Sequence, residues 1–272
     1  MSTRSAFSLS KALPEAFGFL PRALGGAWLI LLAAAALSMA PVLMMHHGMR
    51  APLIGFGALI AGIVIKLVLV GALYRLALFG KDAAKEGLGL GGVQFGKPEV
   101  RLFIANIIVA GFYLVVAMAV FIVFAIAFET SGLGEGYANT REAVVALIRA
   151  HDSAAAWTVI IYLVAAVWFL VFVAIKFSLV HAATIAEKKV VTLNALGLSA
   201  GNVAKLFLGQ MVLLLPFILI GMVVMHLFGM GAIHRMPAVH MAFHAALAIL
   251  VPPLLAGFLA SAYRQITANR SR

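Results

Sequence analysis

Cysteine is absent from this chain, and acidic side chains are scarce: nine Asp and Glu stand against twenty Lys and Arg in 272 residues. Without thiols there is no disulfide, no thiolate metal site and no cysteine nucleophile, whatever the redox state of the compartment. The nine acids all lie outside the apolar runs or at their ends, so the intramembrane carboxylates on which pumps and coupled transporters usually rely are missing. Walker A and HExxH patterns are missing too. The Gly-rich stretch 87–92 follows an apolar run rather than a strand, and so fails the context that dinucleotide binding requires. These absences point to a protein that is not an enzyme.

What the chain has instead is apolar length. Hydrophobic residues make up 64% of it, charged ones 11%, and the mean hydropathy is +1.11, whereas roughly a quarter of the residues in a soluble domain are charged. Runs without Asp, Glu, Lys or Arg cover residues 23–49, 102–128, 153–175, 206–234 and 236–263, and a sixth run, 51–80, is interrupted by Lys66 and Arg75. A helix needs ~20 mostly apolar residues to cross ~30 Å of hydrocarbon, so the pattern predicts an all-α polytopic membrane protein with six spans. With both termini cytoplasmic, the inner segments and helix ends carry fifteen Lys and Arg and the outer loops four, the asymmetry expected of basic residues held inside. The formal charge of +11 is then the charge of loops facing anionic headgroups, and membrane lipids rather than nucleic acid are the expected partners. Ser38-Met39-Ala40 ends an apolar stretch with small residues, as a cleavage site would. The 22-residue leader and Pro41 just beyond the cut argue that the segment is retained.

Segments 8–20, 92–101 and 191–203 precede the odd-numbered spans, and each mixes apolar residues with Gly, Pro or charge, as segments lying in the interface do. The expected organisation is one membrane domain over residues 1–272, made of three units of short interfacial helix, span out and span back: 8–80, 92–181 and 191–264. Internal echoes support it. Arg75 is followed eleven residues later by Glu86, and Lys176 by Glu187; Tyr74-Arg75 recurs as Tyr263-Arg264; Lys11-Ala12-Leu13 has a counterpart in Asn194-Ala195-Leu196. Outside the spans, the largest piece is the loop 129–152, where Asn139 and Glu142 form a capping box ahead of a short surface helix.

The stretch EKKVVTLNALGLSAGNVAKLF at 187–207 carries a resemblance. Through Glu187, Ala195-Leu196, Leu198-Ser199, Gly201-Asn202 and Lys205-Leu206 it is similar to the recurring cytoplasmic segment of the membrane domain of bacterial glycerophosphodiester phosphodiesterases, and of related stand-alone six-span proteins. The resemblance implies a duplicated hairpin architecture and an inner-membrane location, without the barrel domain that carries the phosphodiesterase.

Two sets of residues stand out as candidate sites. Lys66 lies near the middle of span two, with fifteen uncharged residues before it and eight after. An ammonium there costs on the order of 3 kcal/mol even on the lenient insertion scale. Ala58, Gly62 and Lys66 recur every fourth residue, which places Lys66 on a stripe of small residues and, as an expectation, inside the bundle. With no carboxylate at that depth, its partners would be Asn106, a carbonyl, a Tyr hydroxyl, water or an anionic lipid phosphate. The second set is the Met- and His-rich stretch 222–244, five Met and four His in a chain without Cys. Met222 and His226, like His240 and His244, are one helical turn apart, a spacing that lets two side chains converge on one ion. Thioether and imidazole ligands favour copper(I), and Met225, His226, His240 and His244 are the candidate ligands, helped by His46 or His47; flexible Met packing at a membrane turn is the plainer account. The functional expectation is therefore a lipid-interacting or envelope-homeostasis protein of the inner membrane, a scaffold or passive conduit, self-associating or paired with another membrane protein. An outer-side copper-handling protein is the alternative.

Overall fold

The computed structural model describes residues 7–46, 52–130, 142, 145, 153–228 and 237–268. Among them the regular structure is entirely helical: α1 Leu9–Gly26, α2 Trp28–His46, α3 Pro52–Phe79, α4 Lys97–Thr130, α5 Ala154–Phe177, α6 Val180–Ala186, α7 Asn194–Ser199, α8 Val203–Phe228 and α9 Pro237–Ala268, with 3-10 turns at Gly80–Ala84 and Leu90–Gly92. Five helices, α3, α4, α5, α8 and α9, are long and apolar enough to cross a membrane, and the bent pair α1–α2 makes a sixth if it counts as one span. With no water in the hydrocarbon, a spanning backbone must satisfy its own N–H and C=O groups, which helices do. This is the architecture of a polytopic membrane protein.

The chain divides into two compact units, Met1–Asn106 with Ser178–Arg272, and Ile107–Phe177. In the first, α9 is the central element and touches α1, α2, α3 and α8. Its second half is well buried, with Phe258, Ala260 and Ala262 fully enclosed. Close helix approach depends on missing side chains: Gly257 of α9 faces Phe19 and the backbone of Ala16 on α1, and Gly209 of α8 lies under the Phe258 ring. In hydrocarbon, where lipid tails are as apolar as Leu, such small-residue contacts are what lets helices associate. The second unit is the hairpin of α4 and α5, in which Phe112 meets Phe177 edge to face at 5.3 Å.

Helix α1 meets α2 at 93°. Ala12, Ala16, Phe19 and Ala23, spaced four, three and four residues apart, form its buried face, while Lys11, Glu15 and Arg22 are exposed. That is the pattern of an amphipathic helix lying across the ends of its neighbours, and it extends the segment 8–20 to Gly26. The stretch 92–101 differs from expectation: it is no separate helix. Val93 to Gly96 leave the Leu90–Gly92 turn and α4 begins directly at Lys97. Pro98 suits a first helical turn because it needs no donor there, and Glu99 Oε2 accepts the Gly96 N–H at 2.9 Å. The segment 191–203 contains α7, six residues long. The surface helix expected in 129–152 lies outside the described residues apart from Glu142 and Val145, both helical.

Candidate functional site

Polar side chains of the first unit gather where α3 ends, α4 begins and α6 passes. Arg75, near the end of α3, is 2% exposed and pairs through Nη2 with Glu99 Oε1 at 2.7 Å; the Glu99 side chain is fully enclosed. Burying two ions costs several kcal/mol each before their attraction is counted, so the surroundings must complete their bonding. Glu99 is well supplied: besides Arg75 it takes the Gly96 N–H at 2.9 Å and the Gln94 amide at 3.5 Å. Gly71, one turn before Arg75 on α3, makes room, since a Cβ there would stand 2.5 Å from Glu99 Oε1. Arg75 is less well supplied, because its buried Nη1 has no hydrogen-bond partner among the described residues.

Around this pair lie further polar contacts. His181 of α6 donates from Nε2 to Asn106 Oδ1 of α4 at 2.8 Å, and its ring lies 6.0 Å from that of Tyr74. Lys188, just past α6, binds both carboxylate oxygens of Glu86, at 2.7 and 2.9 Å. Glu187 pairs with Lys189 at 2.9 Å and accepts the Tyr263 hydroxyl at 3.2 Å. Arg264 binds Glu15 of α1 at 2.8 Å and the Ala77 carbonyl of α3. A small crevice of about 50 Å³ opens among Arg75, Phe79, Glu86, Pro98, Arg101, Thr184, Ile185 and Lys188.

The residues singled out in the sequence are not brought together. Lys66 is exposed, beside the exposed Ile63 and Val64, whereas Leu67, Val68 and Leu69 are buried. This corrects the expectation of an interior position. Ala58 and Gly62 are half-buried and a Cβ on Gly62 would touch Leu37 of α2 at 3.4 Å. Each step of four residues turns ~40° past a full circle at 3.6 residues per turn, so a stripe that begins against α2 has left it two steps later. Asn106 is engaged with His181. Of the proposed copper ligands, Met225, His226 and His244 are exposed and His240 is buried with its Nδ1 unpartnered. Among the described residues no three His, Cys, Asp or Glu side chains gather to hold a metal. His47 and His234 lie outside them.

The Arg75–Glu99 pair is not among the expectations drawn from the sequence, although the sequence carries a signal for it. Pro-Glu occurs at 14–15 and at 98–99, Tyr-Arg at 74–75 and at 263–264, and the structure joins each Tyr-Arg to a Pro-Glu, Arg75 to Glu99 and Arg264 to Glu15. The chain matches no family model, no curated protein and no solved structure.

Proposed function

We propose that this is a non-enzymatic, lipid-interacting protein of the bacterial inner membrane, with both termini cytoplasmic and a body of three interface-plus-hairpin repeats. The observation that carries the lipid reading is Lys66. It is exposed on an otherwise apolar face of α3, 14 residues from Pro52 and 13 from Phe79. At 1.5 Å per residue that is about 20 Å from either end of the helix, near the middle of ~30 Å of hydrocarbon. A bare ammonium is not stable there, and snorkelling or local thinning of the bilayer that brings a phosphate to it relieves the cost. A cation that draws headgroups inward favours a passive lipid conduit over a purely structural scaffold. The repeat reading is supported by the two Tyr-Arg to Pro-Glu joints, and the inner-membrane reading by the resemblance at 187–207.

Native mass spectrometry of the gently purified protein tests this. Wild type should retain anionic lipid, and Lys66→Ala should lose most of it; equal lipid content in the two would remove Lys66 as the site. The copper reading rests on one observation, the buried and unpartnered Nδ1 of His240. The same spectra decide it, because it requires a near-stoichiometric copper ion that His240→Ala weakens.

A further inference from the structure

We propose that the crevice between α3, α4 and α6 is a binding site for a tetrahedral phosphate group, carried by a lipid headgroup or free in solution. The inference does not depend on Lys66, which does not line the crevice. Three cationic side chains from three parts of the chain do: Arg75 from α3, Arg101 from α4 and Lys188 beyond α6. Glu86 is the one acid on the wall, and both of its oxygens are held by Lys188. Glu99 neutralises Arg75 from behind, so the site keeps an excess of positive charge.

Part of the donor capacity on this wall is unspent. Arg75 Nη2 is committed to Glu99 while Nη1, in a side chain 98% buried, has no partner among the described residues. An enclosed guanidinium N–H without an acceptor loses its hydration uncompensated, and Arg75 brings that poorly compensated charge to the wall of the crevice. Arg101 makes no ion pair or hydrogen bond among the described residues. Lys188 has three N–H donors and spends two on Glu86. Guanidinium groups match the oxygen spacing of phosphate better than any other side chain.

Size and position narrow the ligand class. A space of about 50 Å³ admits a group the size of a single tetrahedral oxyanion. Phe79 and Ile185 form apolar walls, which lowers the local dielectric and strengthens the charge-assisted bonds. The crevice lies where α3 ends and α4 starts, the level at which a spanning helix meets headgroups.

The experiment uses the full chain in detergent, titrated by calorimetry with inorganic phosphate, with a short-chain phosphatidic acid and with a short-chain phosphatidylcholine. Arg101→Gln and Lys188→Gln are the test variants, because neither side chain is hydrogen-bonded to the Arg75–Glu99 pair and Lys188 is largely exposed; Lys11→Gln, on the exposed face of α1, is the control, and the lipids are titrated in a Lys66→Ala background that removes the other proposed lipid site. Saturable binding of phosphate or phosphatidic acid, weakened about tenfold or more in Arg101→Gln and in Lys188→Gln and unchanged in Lys11→Gln, is the expected result. Tighter binding of phosphatidic acid than of phosphate assigns the site to a lipid headgroup; equal binding assigns it to the free anion. If neither anion binds, or if both Gln variants bind as wild type does, the proposal is overturned and water alone fills the crevice. Should Arg101→Gln fail to fold, Lys188→Gln decides alone. Loss of lipid in Lys66→Ala with crevice binding intact would separate the two sites.

Discussion

Glu99 is the residue whose chemistry is most tightly constrained. Its carboxylate neutralises a guanidinium that has almost no contact with water, and it caps the loop that starts α4. Replacing it by Gln keeps the shape and removes the charge, which leaves Arg75 as an uncompensated buried cation. The expected cost is about 3–5 kcal/mol, measured as a large fall in the thermal midpoint of the detergent-solubilised protein. Arg75→Met combined with Glu99→Leu should recover most of that loss, because an apolar pair of similar volume carries no desolvation penalty. A Glu99→Gln protein that melts with wild type would show that the pair is not enclosed as described. Gly71→Ala probes the same contact from the other side: its methyl group would stand 2.5 Å from Glu99 Oε1 and should cost about 1–3 kcal/mol by overpacking. Arg75 was visible in the sequence as a charge near a span end; its partner, 24 residues on, was not, because distance along the chain says nothing of which helix start folds back against it.

At the scale of the helices, what decides stability is how closely α1 and α8 approach α9. Gly209 of α8 faces the Phe258 ring, and any Cβ would run into it, whereas Gly18 on α1 has no atom within 4 Å of the position a Cβ would take. The two glycines should therefore respond in opposite ways. Gly209→Ala is expected to destabilise by about 1–3 kcal/mol. Gly18→Ala, in the interior of a helix and unopposed, should stabilise by about 0.5–1 kcal/mol. Thermal midpoints of the two variants check this, and equal shifts would mean that α8 and α9 do not meet as described. Amphipathic α1 was legible from its spacing of apolar and charged residues. The supposed interfacial segment 92–101 was not: Gly, Pro and charge mark a helix start as readily as a helix in the interface, and only the Glu99 contacts show which of these it is.

For the whole molecule the open quantity is orientation. The count of fifteen basic residues against four predicts cytoplasmic termini, and the absence of native Cys makes the test direct. Single-cysteine variants Ser10→Cys and Ala268→Cys should react with an impermeant maleimide only from the cytoplasmic side of the membrane, and Asn139→Cys only from the other. The reverse pattern would invert the topology. Apolar length and the distribution of Lys and Arg are additive along the chain, because each helix meets the bilayer by itself, and so the sequence alone determined the helical class, the approximate number of spans and the expected orientation. The Met and His stretch shows the limit of such reasoning: adjacency in sequence suggested convergence, yet His240 is buried while His226 and His244 are exposed. Which cations are enclosed and which face outward was decided only by tertiary structure. Lys66 and Arg75 lie nine residues apart on one helix and differ because of what packs against each side: among the described residues nothing encloses Lys66, whereas Glu99 reaches across Gly71 to neutralise Arg75.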